Sequence, residues 1–140
     1  MLTEIDWQLD NAKRIVRPRH ITDGELVAVE MRHQFIALTV LLPMSGAIND
    51  VSNVQKRIVF RLYDAKMISF QSDHMQNVIN AMYVFNEHPN LRSVDPPFAN
   101  WAMFDKSLQD VAASLFLVIT PIVGIECVVA ANELKLFELK

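Results

Sequence analysis

The stretch at residues 111–125, VAASLFLVITPIVGI, decides how this chain folds because it runs for fifteen residues without a charge. A membrane-spanning helix needs about 20 apolar residues, and a somewhat shorter run is typical of a buried core helix. Pro121 and Gly124 interrupt the run, and Glu126 ends it. The stretch therefore predicts the centre of a hydrophobic core, or a surface that a partner covers, and no membrane span.

The sequence on both sides of this run predicts helices. Apolar residues recur every three or four positions, which is the helical period, and only three glycines are available for tight hairpins. The sequence TDGE at residues 22–25 has the pattern of a helix capping box. We predict an all-α fold, a compact bundle of five or six helices that forms a single domain over residues 1–140. The predicted helices cover residues 4–16, 22–42, 51–65, 73–88 and 98–119, and residues 121–140 form a further helix or a strand.

The alternative to the helical bundle is an α+β fold. In the sequence RIVFRLYDAKMISFQS at residues 57–72, Ile58, Phe60 and Leu62 occupy every second position, which is the period of a strand. A hairpin that turns at residues 64–66 fits this alternation, and residues 27–39 also support a two-residue period. This alternative predicts a small antiparallel sheet that involves residues 57–72.

Composition and charge favour a folded cytoplasmic protein. Hydrophobic residues make up 51% of the chain and the net charge is −3, whereas disordered chains are polar and general nucleic-acid binders are more often basic. Cys127 is the single cysteine, and the first ten residues, MLTEIDWQLD, are acidic where a signal peptide needs positive charge. The apolar content also favours an oligomer or a protein partner.

Two clusters of basic residues are candidates for binding phosphate groups. The first is KRIVRPRH at residues 13–20, and the second lies within residues 56–66. Lysine and arginine form charge-assisted hydrogen bonds with phosphate oxygens, although an ordinary solvated surface also carries such charges. The candidate phosphate-binding residues are Lys13, Arg14, Arg17, Arg19, Arg57 and Arg61.

The sequence holds no motif for catalysis, metal binding or cofactor binding. Its four histidines do not have the spacing of metal ligands, and no phosphate-binding loop or nucleophile elbow occurs. The neighbours of Cys127 are Ile125, Glu126 and Val128, which favours an inert buried thiol. We therefore predict no catalytic residue, no metal ion and no cofactor.

An aromatic group follows two prolines in the sequence PPFANWAMF at residues 96–104. Phe98, Trp101 and Phe104 recur every three residues, and aromatic anchors of this kind dominate protein interfaces, although they also fill cores. We predict them as partner-binding residues, with the run at residues 111–125 supplying much of the apolar contact.

The leading functional hypothesis is a small non-enzymatic protein that acts through protein–protein binding. It would work as an adaptor, inhibitor or assembly factor, and it would form a homodimer, the commonest closed oligomer. The alternative is a nucleic-acid-associated regulatory domain that uses the basic clusters at residues 13–20 and 56–66. Binding through phosphates weakens steeply with salt, which separates the two hypotheses experimentally.

Overall fold

The described part of the chain is dominated by antiparallel strands. The structure, a computed structural model, describes residues 1–18, 21–43, 56–72 and 76–139. In those ranges it has eleven strands and one helix, α1 (Trp101–Leu108). The strands are β1 (Leu2–Ile5), β2 (Gln8–Leu9), β3 (Ile15–Arg17), β4 (Glu25–Met31), β5 (Phe35–Leu41), β6 (Arg57–Tyr63), β7 (Lys66–Ser72), β8 (Val78–Phe85), β9 (Leu115–Val123), β10 (Ile125–Ala131) and β11 (Glu133–Leu139).

Nine of the described strands form one sheet in the order β1-β11-β6-β5-β4-β8-β9-β10-β7, and β2 and β3 pair as a separate ribbon. The sheet has two parts that we call the first half-sheet (β1, β11, β6, β5 and β4) and the second half-sheet (β8, β9, β10 and β7). In the described ladder they join only at the pair Glu25 and Val78. This narrow junction lets the two half-sheets turn towards each other.

The main core lies between the two half-sheets. The first half-sheet contributes Leu38, Phe60 and Leu136, and the second contributes Ile119 and Val129, all 0% exposed. These side chains come from alternate positions of their strands, as expected for residues that share one face of a sheet. The inner faces of the two half-sheets therefore form one continuous cluster.

A second core lies on the outer face of the second half-sheet. This core contains Phe116 and Val118 of β9 and Val128 of β10. They pack beneath Phe98, in the segment before α1, and Leu108 of α1. The strands β8, β9 and β10 are consequently buried on both faces. A strand that is covered on both sides is apolar at consecutive positions.

The predicted all-α bundle is wrong, and this double burial is the reason. The run at residues 111–125 contains β9 and not a long helix, because its lack of a polar face reflects two cores and not a buried helix. Of the predicted helix at residues 98–119, only Trp101–Leu108 is helical. The segment at residues 121–139 is strand for most of its length, and residues 51–55 and 73–75 of two other predicted helices lie outside the described residues.

Turns without glycine explain why the scarcity of glycine was misleading. Lys13, Asp23 and Asp64 adopt positive φ angles of 68°, 67° and 50°, a region that is uncommon for residues other than glycine and in which aspartate is enriched. The expected capping box at residues 22–25 is a turn into β4, in which the Gly24 N–H donates a 2.9 Å hydrogen bond to the Ile21 carbonyl. The chain thus makes several turns with non-glycine residues.

The small sheet of the α+β alternative is too limited. Residues 57–72 do contain two strands, β6 and β7, but these do not pair with each other. β6 lies between β5 and β11 in the first half-sheet, whereas β7 pairs with β10 at the end of the second.

Along the described residues, no helix has both the length and the apolar character needed to cross a membrane.

Replacing Gly24 with alanine should destabilise the fold. An added Cβ would lie 2.8 Å from both the Ile21 carbonyl oxygen and Val40 Cγ1, and overpacking of this kind lowers the free energy of unfolding by about 1–3 kcal/mol. Urea unfolding of Gly24→Ala should show this loss. The exposed Thr3→Ala on β1 is the control, with an expected change within about 0.5 kcal/mol; equal midpoints for Gly24→Ala and the wild type would contradict the prediction.

Candidate functional site

The three aromatic residues predicted to bind a partner lie in and around the second core. Phe98 is 1% exposed and Phe104 is 7% exposed, and their rings meet edge to face with centroids 5.5 Å apart. Trp101 is half-buried, with the Arg92 guanidinium 4.6 Å from its ring centroid. A partner-binding role for these residues stays a prediction, and Trp101 offers the most accessible ring of the three.

The candidate phosphate-binding residues do not form one patch. Arg14 pairs with Asp10 at 2.8 Å in the exposed turn before β3, and the hydrogen bond from its backbone N–H holds the pKa of Asp10 below the ordinary value. Lys13 accepts a backbone hydrogen bond from Val84 of β8. Arg57 lies on β6, which β5 and β4 separate from β8 in the sheet order, and Arg19 lies outside the described residues.

Arg61 of β6 has surroundings that its basic cluster did not predict. Its guanidinium carbon lies 4.7 Å from the ring centroid of Phe35 and 4.8 Å from that of Phe137. The two rings belong to the flanking strands β5 and β11 and hold the guanidinium between them on the outer face of the first half-sheet. Cation–π contacts of this kind are each worth about 0.5–2 kcal/mol, with the larger values where the cation is desolvated.

This guanidinium lines a concavity of about 410 Å³ at the tip of the β4–β5 hairpin, which we call the Arg61 pocket. The Nε–H of Arg61 is buried and has no hydrogen-bond acceptor among the described residues. Arg32, in contrast, donates a 2.6 Å hydrogen bond from Nη2 to Glu30 Oε1. The pocket is lined by Glu30, Arg32, His33, Gln34, Phe35 and Arg61.

A second feature is the unpaired side of β4 at residues 27–31, which we call the open edge. These residues pair with β5 on one side, while the described pairing of β4 with β8 is limited to Glu25. Every residue from 27 to 34 is exposed, including the apolar Val27 at 45%, Val29 at 37% and Met31 at 63%. A strand with free backbone groups and exposed apolar side chains is a template for pairing with another chain.

A groove of about 300 Å³ separates the start of the open edge from β7. Phe70 of β7 borders this groove and is 42% exposed. The two-residue period at residues 27–39 indicated strands here, but periodicity does not tell whether a strand has a neighbour. The open edge was therefore missed at the level of the sequence.

Cys127 and the described histidines do not assemble a reactive centre. Burial raises the pKa of the Cys127 thiol to about 12, and its Sγ lies 3.6 Å from Met67 Sδ. His33 is exposed on the β4–β5 turn, and His88 forms a 3.0 Å hydrogen bond with the Val111 carbonyl. In the described ranges no group of three or more His, Cys, Asp or Glu residues could hold a metal ion; His20 and His74 lie outside those ranges.

No protein-family model, curated protein or solved structure matches this chain. The open edge and most of the lining of the Arg61 pocket lie on the β4–β5 hairpin, and this hairpin together with Arg61 of β6 is the candidate functional region.

The Cys127 thiol should be unreactive in the native protein. A thiolate is the reactive form, and the raised pKa of about 12 keeps Cys127 protonated at pH 8, so a thiol reagent should modify the native chain far more slowly than the chain in denaturant. Because the pKa is higher in the folded state, this residue's stabilising contribution is complete below pH 9.0 and is lost as the pH rises to about 12.

The stability of Cys127→Ala should consequently fall less steeply than that of the wild type above pH 9. The difference in slope of the free energy of unfolding approaches about 1.4 kcal/mol per pH unit between the two pKa values. Denaturant unfolding at pH 8, 9 and 10 measures it. Parallel pH profiles, or native modification as fast as in denaturant, would contradict the burial of this thiol.

Replacing Arg61 with methionine should leave the free energy of unfolding within about 1 kcal/mol of the wild type, because two opposing effects are of similar size. The variant loses the contacts with Phe35 and Phe137, but it removes a buried donor without an acceptor, which costs about 1–3 kcal/mol. Denaturant unfolding beside Lys106→Met, a change at an exposed residue of α1, measures the difference. A loss of about 3 kcal/mol or more would show that Arg61 is primarily a structural residue.

Proposed function

We propose that this protein acts through protein–protein binding without chemistry of its own, and that the open edge makes the contact. The observation that carries the proposal is that every residue from 27 to 31 of β4 is exposed and that no described strand pairs with this side of them. Main-chain hydrogen bonds along such an edge supply affinity, and alternate side chains supply specificity.

The occupant we propose is a second copy of the chain, whose open edge pairs antiparallel with the first about a two-fold axis at Val29. In this register Val29 lies opposite Val29, and Ala28 lies opposite Glu30. Apolar pairs directly across strands are favourable, at about 0.2–1 kcal/mol each. The contact is the same on both copies, as a closed two-fold dimer requires.

Two physical constraints favour this register over its neighbours. An axis at Glu30 would place two carboxylates directly opposite each other, which is destabilising. An axis at Ala28 would require pairing at Glu25 and Leu26, but β8 already holds this part of β4: Glu25 pairs with Val78, and the Leu26 N–H donates to the Asn77 carbonyl. Val29 is the position between these two obstacles.

The dimer that we propose uses a different contact from the run at residues 111–125. Most of that run lies within β9, between β8 and β10, where Leu117 and Val118 are 0% exposed. The hypothesis of a homodimer therefore depends on β4. The alternative of a nucleic-acid-associated domain gains no support from the basic residues, which are divided between the β2–β3 region and β6.

Charged substitutions at Val29 test both the dimer and its axis. The wild type should have twice the 16.0 kDa mass of the chain in light scattering at about 100 μM, a concentration suited to a small and weak interface. Val29→Lys and Val29→Glu should each be monomeric, because like charges then meet across the axis. A mixture of the two variants should recover the dimer mass.

Met103→Lys on α1 is the matched control, because Met103 is an equally apolar residue that is 61% exposed and lies far from β4 in the sequence. It should leave the mass unchanged. A monomeric wild type, or Val29→Lys and Val29→Glu variants that remain dimeric, would overturn the proposed contact.

A further inference from the structure

We infer that the Arg61 pocket binds a small-molecule carboxylate. The inference does not depend on the proposed dimer, since all the residues that line the pocket come from one chain. Its volume of about 410 Å³ falls within the range of about 300–1,000 Å³ that is typical of small-molecule sites.

The Arg61 guanidinium is held in place by its neighbours and has no anionic partner among the described residues. Phe35 and Phe137 cover its two sides at 4.7 and 4.8 Å, so its rotation is restricted and its orientation is set before a ligand arrives. Neither a hydrogen bond nor an ion pair joins it to any side chain in the described ranges, and its Nε–H is buried without an acceptor. A carboxylate ligand would supply the anion that this fixed cation lacks.

Two cations beside Arg61 in the structure, Arg32 and Lys135, are already paired with carboxylates. Arg32 is neutralised by Glu30 at 2.6 Å, and Lys135, the cross-strand neighbour of Arg61, lies 3.7 Å from a Glu4 oxygen and 3.9 Å from a Glu133 oxygen. Arg61 is therefore the unmatched charge of the pocket, and a monoanion balances it better than a dianion does.

The shape of the Arg61 pocket also suits a carboxylate ligand. Phe35 and Phe137 flank the guanidinium and its Nε is buried, so a ligand would meet the remaining edge of the group. A guanidinium edge fits the two oxygens of a carboxylate in a bidentate pair. Phe35 adds an apolar wall, while Gln34 and His33 add polar groups at the rim. A carboxylate attached to a flat apolar body fits this combination, and benzoate is the simplest such compound.

Calorimetric titration with benzoate, benzamide and inorganic phosphate tests the inference on the full chain. Benzoate should bind saturably with a dissociation constant on the order of 1 mM, as suits so small a ligand. Benzamide has the same shape but no charge, and it should bind at least about tenfold more weakly, since a charge-assisted bidentate pair is lost. Phosphate should also bind more weakly than benzoate because the pocket offers one unmatched positive charge.

Substitutions locate the binding within the pocket. Arg61→Met should abolish benzoate binding, and Arg61→Lys should weaken it by about tenfold or more because an ammonium lacks the planar fork. Lys106→Met removes one positive charge far from the pocket and should leave binding unchanged. If Arg61→Met does not fold, the exposed Arg32→Ala provides the same test, because it frees the Glu30 carboxylate and should weaken benzoate binding severalfold.

Four results would overturn the inference. The first is the absence of saturation by benzoate up to about 10 mM, roughly tenfold above the expected constant. The second is equal binding of benzoate and benzamide, which would show apolar contact without recognition of charge. The third is benzoate binding that Arg61→Met or Arg32→Ala leaves unaffected. The fourth is tighter binding of phosphate than of benzoate, which would identify a phosphate ligand in place of the carboxylate.

Discussion

The rest of the structure depends on the covering of β9 on both of its faces. Consecutive residues of this strand belong to different cores: Leu117 and Ile119 pack between the half-sheets, while Phe116 and Val118 pack beneath Phe98 and its neighbours on the outer face. The first half-sheet is therefore needed as one cover, and α1 with the segment before it as the other. A strand apolar at every position could not remain exposed on either side.

The two half-sheets differ because only the second has its outer face covered by another described element. The outer face of the first half-sheet meets solvent, and its aromatic rings pack with cations: Arg61 between Phe35 and Phe137, and Lys135 at 5.8 Å from the Tyr63 ring centroid. The long stems of these cations shield the rings while the charged ends stay near water. A polar surface with apolar rings beneath it thus takes the place of a second layer.

The sequence could reveal a strand only where its two faces differ. β6 could be read from the alternation of Ile58, Phe60 and Leu62 with Arg57 and Arg61, since one face meets the core and the other meets solvent. β9 could not be recognised as a strand, because double burial removes the alternation and leaves a run that also suits a helix.

The order of the strands could not be predicted for another reason: the neighbours of β6 are β5 and β11, and no local pattern identifies so distant a partner. The Arg61 pocket was hidden in the same way, because Phe35 and Phe137 reach Arg61 only through that order.

The edges of the sheet show why β4 is exceptional. Natural proteins protect edge strands by keeping them short or by placing charges along them. β1 is four residues long and carries Glu4, and β7 begins with Lys66 and ends in exposed polar residues. β4, in contrast, continues beyond its contact with β8 into residues 27–31, where Glu30 is the single charge and Val27, Val29 and Met31 are exposed. Solubility alone would favour lysine or proline at these positions, whereas a surface that pairs with another strand requires them to be apolar and extended.

The same hairpin holds Arg32, which neutralises Glu30 and leaves Arg61 as the unmatched charge beside it. The β4–β5 hairpin and the neighbouring Arg61 of β6 thus hold two groups of atoms that the fold leaves without partners, the backbone of the open edge and the Arg61 guanidinium, and a bound partner or ligand would satisfy them.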